Sequence, residues 1–366
     1  MKKEETITTR QLISLVIMVQ LGTEVLSLPH VEARVVGHDT WLAVLLAALA
    51  AQVGITLLWW LGSRYPTRNF YAYIPLIVGK PIGTSINLLF GCYYALSGLL
   101  LTILYCDILK RWLFPLTPRW VLILMLLLVC GYAATSTLKQ LANVSQTFMV
   151  FAYISFLLIV FSGIYGLNVK NLLPVLQGGW YPILKGAYSA FSAYVGYDLL
   201  LYAYPYVQSQ SKKKLLLSMT LANASTAVFY IAVCLICSMK FNLKQLEVIP
   251  EPIIFILKNY RVDILQSIDI LFLIFYVCIV SATIYVYFFM AVKAFLHLRS
   301  QGLGKQHVWV WTMVALCFLG GFFLMKRNDI LQIATIQDIV SIMLVVGLPV
   351  VLLIISGLRG AGRNEI

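Results

Sequence analysis

The chain has 366 residues, of which 61% are hydrophobic and 11% charged, with a formal net charge of +13. A water-soluble domain carries roughly 25% charged residues, so this sequence lacks the polar surface that such a fold requires. The basic excess does not point to nucleic acid, because the Lys and Arg residues sit in short loops between apolar runs, where they act as topology signals.

Apolar windows of about 20 residues recur from end to end, which predicts a polytopic helical membrane protein. The start, Met1 to Thr6, is polar and no small-residue cleavage site follows a short apolar core, so no cleavable signal is expected. Span one is expected in two pieces, about 10–21 and 25–36. Between them, Leu21-Gly22-Thr23-Glu24 brings a glycine and a carboxylate into an apolar run that Pro29 then interrupts again. A carboxylate at membrane depth costs about 2.5–3.5 kcal/mol on insertion scales, and glycine lets the backbone leave helical geometry. The expected result is a discontinuous helix whose unwound middle offers backbone groups to a ligand.

Span two is expected at about 41–63, with Asp39 or Thr40 able to cap it. A basic loop, 64–80, carries Pro66 and Pro75. Spans three, four and five follow at about 82–109, 119–134 and 141–165, then an amphipathic connector at 168–186. Span six is expected to break in turn. A first half at 187–194 leads into Val195-Gly196-Tyr197-Asp198, and a second half, 199–204, stops at Pro205. Lys212, Lys213 and Lys214 precede span seven at about 215–239. A loop with two short surface helices fills 240–262, and spans eight, nine and ten lie at about 264–295, 308–325 and 339–358. Ten spans place both termini on one side. The basic residues of alternate loops, Lys2, Lys3, Arg299, Lys305, Arg359 and Arg363 among them, favour that side as cytoplasmic.

The two breaks correspond. Each is a glycine followed two residues later by an acid, and each falls in the first span of a five-span half. That pattern is the sequence pointer to an inverted-repeat transporter fold with a site at the membrane midplane. The fold class expected is therefore all-α, a single integral membrane domain of ten transmembrane helices. It is of LeuT type, a 5+5 inverted repeat (about 10–165 and 187–358) with helices one and six discontinuous.

No metal or cofactor is expected. The seven cysteines all fall inside apolar spans, and Cys234 and Cys237 have redox spacing but no polar neighbours, so they read as inert buried thiols. The four histidines are scattered near span ends. No HExxH, GxSxG or paired catalytic acids on one helix face suggest an enzyme.

Four motifs in order carry a resemblance. They are Leu21-Gly22-Thr23 with Leu26-Ser27-Leu28-Pro29, and Asn171-Leu172-Leu173-Pro174-Val175-Leu176 with Gly178 or Gly179. Val195-Gly196-Tyr197-Asp198 followed by Lys212-Lys213-Lys214 is the third, and Ile284-Tyr285-Val286-Tyr287 the fourth. Together they resemble the endospore germination permeases, the B-type (GerAB-like) subunits of germinant receptors, within the amino acid/polyamine/organocation superfamily. The resemblance implies a subunit of the spore inner membrane that binds a small germinant, often an amino acid. It also implies assembly with a larger A-type membrane subunit and a C-type lipoprotein. Relatives elsewhere in the superfamily are transporters, so an ion-coupled amino-acid or amine permease is the alternative. One departure is Glu24, where many members carry a small residue.

On this fold, Gly22 and Thr23 would turn backbone N–H groups toward a ligand carboxylate, with support from the half-helix dipole. Glu24 could pair with a ligand ammonium, bind a cation, carry a proton or bond to span-six backbone. Gly196 and Asp198 form the second break, where Asp198 could instead cap the following half-helix. Tyr94 and Ser97 on span three, Tyr194 and Tyr197 on span six, and Ser281 and Thr283 on span eight would complete a pocket. Superfamily members that use sodium hold it with span-one carbonyls and span-eight hydroxyls. Proton-coupled relatives place a lysine in mid span five, whereas Lys139 here lies at its edge.

Overall fold

A computed structural model describes residues 6–208, 211–260, 268–298, 306–324 and 327–358. The basic residues Lys2, Lys3, Arg261, Arg299, Lys305, Arg359 and Arg363 lie outside the described residues. The chain is mostly helical. Its elements are β1 (Ile7–Thr8), α1 (Thr9–Gln20), α2 (Glu24–Val36), α3 (Thr40–Arg64), α4 (Phe70–Val78), α5 (Lys80–Trp112), α6 (Arg119–Ala134) and α7 (Leu138–Ile164). There follow α8 (Trp180–Ala190), α9 (Leu199–Ala203), β2 (Val207–Gln208), α10 (Lys212–Lys240), α11 (Leu243–Leu246) and α12 (Pro252–Asn259). The last are α13 (Ile268–Leu296), α14 (Gln306–Phe323), α15 (Arg327–Ile342) and α16 (Leu348–Leu358). Among the described residues, seven helical stretches are long and apolar enough to cross a membrane, and α6 is a shorter apolar helix.

Local chemistry sets the helix starts. Thr8 opens α1 with a reciprocal cap: its hydroxyl accepts from the Gln11 N–H at 3.3 Å while its own N–H donates to Gln11 Oε1 at 2.7 Å. Thr137 and Gln140 do the same for α7, and Ser211 caps α10 through the Lys214 N–H at 3.2 Å. Outward-facing Val53, Met125, Val129 and Phe161 are exposed, as apolar residues facing lipid would be. Inward, α5 and α13 cross where small residues let them approach. A Cβ on Gly98 would stand 2.5 Å from the Phe288 ring, so this crossing closes only around glycine.

Three expectations need correcting. The proline-rich 64–80 segment is not simply a loop but contains α4. Asn69 caps that helix by accepting from the Ala72 N–H at 3.1 Å. Pro75 should orphan the Tyr71 carbonyl four residues earlier, and Asn87 of α5 fills that gap by donating to it at 2.9 Å. Asp39 and Thr40 do not cap α3 through their side chains. The Asp39 carboxylate instead accepts from the Leu176 N–H at 2.9 Å, tying the 168–179 connector to the start of α3, and the Thr40 hydroxyl meets that of Ser238 at 3.1 Å. The last stretch begins at Arg327 rather than near 339, because its first turns are polar on one face.

Candidate functional site

The first helical run ends at Gln20 and the next begins at Glu24, leaving Leu21, Gly22 and Thr23 in a turn. The second irregular stretch is a 3-10 turn, Phe191–Tyr194, followed by Val195 to Asp198 before α9. The second stretch packs against the end of α1. Gly196 has φ +129, and a Cβ there would come within 2.7 Å of the Val19 side chain and 3.2 Å of its carbonyl carbon. Only glycine suits both that backbone and that approach. Gly22 differs: its φ is not positive, and a Cβ would find the Thr283 methyl at an ordinary 3.8 Å.

Interrupting a helix leaves carbonyls without partners, and each must be satisfied away from water. Here side chains of α10 and α13 do it. Tyr276 donates to the Leu21 and Gly22 carbonyls, 2.8 Å to each. Thr283 donates to Met18 at 2.9 Å. Tyr230 donates to the Gln20 carbonyl at 2.5 Å and to the Ala193 carbonyl at 3.1 Å, so a single phenol bridges the two irregular stretches. The Gln20 side chain adds a second bridge, donating to the Tyr194 carbonyl at 2.8 Å and accepting from Thr226 at 2.9 Å.

Beside this bracket lies a cavity with about 90 Å³ of room for solvent, walled by α1, the turn at Gly22, α5, the 191–195 stretch, α13 and α15. Of the residues singled out from the sequence, Gly22, Glu24, Ser97 and Thr283 line it. Thr23 is buried beside it as the residue preceding α2. Tyr94 lies one layer back, stacked on Tyr287 with ring centroids 5.9 Å apart. Tyr194 donates to the Val44 carbonyl at 3.2 Å and so faces α3. Tyr197 also faces α3, filling the space over Gly54. Asp198 is 1% exposed at the start of α9 and does not line the cavity. Ser281 is buried on α13, its carbonyl accepting from the Cys130 thiol at 3.7 Å.

Sequence reasoning missed part of the wall. Gln337 of α15 is 9% exposed and donates to Ser97 at 2.5 Å and to the Tyr93 carbonyl at 3.2 Å, pinning α15 to α5. Asp338, next to it, lines the cavity, as do Gln20, Tyr93 and Tyr287. Tyr287 has no signal in the sequence beyond the Ile284-Tyr285-Val286-Tyr287 motif. The polar run Gln332, Thr335, Gln337, Asp338 and Ser341 in an otherwise apolar stretch was the available signal.

The overall fold is matched in solved structures. One, described as the substrate-bound outward-open state of a Na+-coupled sialic acid symporter, superposes with a TM-score of 0.70 at 11% identity, over 93% of this chain and 77% of that one. Another, MhsT in complex with L-phenylalanine, gives 0.63 at 14% identity, over 94% of this chain and 87% of that one. The likeness is one of fold: a helical membrane architecture shared with these two proteins. The family described as "Spore germination protein" matches residues 6–330, and the chain belongs to that family. Relatives include spore germination protein GerQB of Bacillus cereus, 26% identical over 63% of this chain and 63% of its own length. Spore germination protein YndE of Bacillus subtilis (strain 168) is 31% identical over 49% of this chain and 50% of its own. The matches to these two relatives thus span between half and two thirds of their length. Spore germination protein GerLB of Bacillus cereus is 21% identical over 99% of this chain and 97% of its own length.

Proposed function

We propose that this chain is the germinant-sensing membrane subunit of a spore germination receptor, binding a small molecule of the amino-acid class in the cavity beside the two irregular stretches. The observation that carries the reading is the cavity itself, walled by both stretches in a chain of the spore germination family. In this reading the protein has ten transmembrane spans in a 5+5 inverted repeat, about 10–165 and 187–358. The runs α1/α2 and α8/α9 are its discontinuous first and sixth spans.

Glu24, Ser97 and Thr283 meet the ligand, together with backbone N–H groups of Gly22, Thr23 and the first turn of α2. Tyr94, Tyr194, Gly196, Tyr197, Asp198 and Ser281 hold the wall from behind. The chain works as a binding protein, without a catalytic step. It sits in the spore inner membrane with cytoplasmic termini and assembles with an A-type membrane subunit and a C-type lipoprotein.

Sensing is favoured over transport by the family match, whose description is a spore germination protein. Full-length protein in proteoliposomes should bind labelled germinant saturably without accumulating it along an ion gradient. Gradient-driven accumulation would replace the receptor reading with a permease. Spores lacking the gene should lose the response to one germinant class.

A further inference from the structure

Two carboxylates line the cavity, Glu24 at the first turn of α2 and Asp338 on α15, and no Lys, Arg or His is among its described lining residues. Ser192 and Ser341 line the same cavity and add hydroxyls beside the two carboxylates. Glu24 is half-buried and Asp338 exposed; when both are ionised they repel across the shared cavity, and a bound cation relieves the repulsion.

The second observation is Tyr287. It is 7% exposed, it lines the same cavity, and its hydroxyl makes no hydrogen bond among the described residues. Stacking on Tyr94 holds its ring in place. Tyr93, 4% exposed, adds a second aromatic wall. Aromatic faces beside carboxylates make a setting for an organic cation.

We propose that the ligand of this cavity carries two ammonium groups a few carbons apart, as in a short diamine or a diamino acid, held by Glu24 and Asp338 with the Tyr287 phenol against it. The proposal rests on the reading of this cavity as the germinant site. A simple zwitterion brings one ammonium to two carboxylates and adds a negative charge of its own. Two ammonium groups give each carboxylate a partner. At about 90 Å³ the cavity has room for roughly three waters, so its ligand is small.

The test is equilibrium binding to the full-length protein in detergent micelles, using putrescine and L-diaminobutyrate as probes and butanediol and L-alanine as controls. The diamino probes should bind at least about 30-fold more tightly than either control. Glu24→Gln, which removes the half-buried carboxylate, should weaken putrescine binding by about 30-fold, and Asp338→Asn, which removes the exposed one, by about 5-fold. Tyr287→Phe, which keeps the ring, should weaken it only a few-fold. Thermal melting of the ligand-free variants separates lost binding from lost folding, and if a variant does not fold, the ranking of the four compounds on the wild type decides. L-Alanine binding as tightly as the diamines overturns the two-ammonium assignment while leaving the germinant site standing. No binding of either diamine, or unchanged putrescine affinity in Asp338→Asn, also overturns it. Spores that lack the gene yet keep every germination response would instead overturn the receptor reading.

Discussion

The hydroxyl of Tyr276 stands 2.8 Å from the carbonyl oxygen of Gly22, and at the same distance from that of Leu21. A single hydroxyl hydrogen of α13, shared between the two oxygens, thus stands in for helical N–H groups that the turn removes. The phenol is fully buried and stacks on Phe272 with ring centroids 5.1 Å apart, so its aim is fixed by packing. Replacing Tyr276 with Phe keeps the ring and deprives both carbonyls of their donor. The expected loss is about 1–3 kcal/mol of stability, the range for leaving buried polar groups unsatisfied. A thermal melt of the detergent-solubilised variant should show a lowered midpoint. An unchanged midpoint would mean that the turn finds other donors.

The two glycines of the irregular stretches should respond unequally to alanine. Gly196→Ala forces a side chain into a positive-φ backbone against Val19, and should cost about 1–3 kcal/mol or prevent folding. Gly22→Ala meets only ordinary contacts and should stay within about 1 kcal/mol of wild type. Yield and melting temperature of the two variants side by side provide the check, and equal damage would contradict the geometry.

Asp39 should be a fastener for the connector. Its carboxylate accepts from the Leu176 N–H, and Leu176 has φ +61, a backbone that a leucine adopts only when held. Asp39→Ala should free the segment around Leu176, and limited proteolysis should show faster cleavage there. Cleavage at the wild-type rate would show that other contacts hold it.

The lysine triplet should govern topology more than ligand response. The Lys212 ammonium donates to the Ser63 carbonyl at 3.1 Å, bringing the start of α10 to the end of α3. Each lysine adds about 1 kcal/mol of attraction to anionic lipid. Replacing all three with glutamine should perturb insertion, read by accessibility of a terminal tag, while the germination response of correctly inserted protein is kept. Normal insertion with a lost response would reverse this assignment.

Much of this arrangement was legible in the residues. The glycine–x–acid pairs at Gly22–Glu24 and Gly196–Asp198 marked both irregular stretches, because glycine lets the backbone leave the helix and a carboxylate is costly inside an apolar run. Most helix limits followed from apolar windows to within a few residues. Three things were hidden. Pro75 looked like a loop residue because its compensation, Asn87, lies on another helix. The hydroxyls of Tyr230 and Tyr276 serve carbonyls some 200 or more positions away in sequence, and no local pattern distinguishes them from packing tyrosines. Asp338 and Gln337 fell outside the predicted tenth span, since a hydropathy window discards the polar turns of α15 that reach the cavity.

The shortest paired element has a mechanical meaning. Ile7 and Thr8 pair in parallel with Val207 and Gln208, joining the residue before α1 to the chain just past α9. These two strands sit at the far ends of the helices that lead into the irregular stretches, one helix on each side of the pairing. Tied there, and tied again by Tyr230 near the cavity, α1 and the α9 segment form a closed frame with two crossbars. A frame so braced fixes the separation of the two segments at two heights, so neither can shift alone without breaking the strand pairing or the Tyr230 bridge.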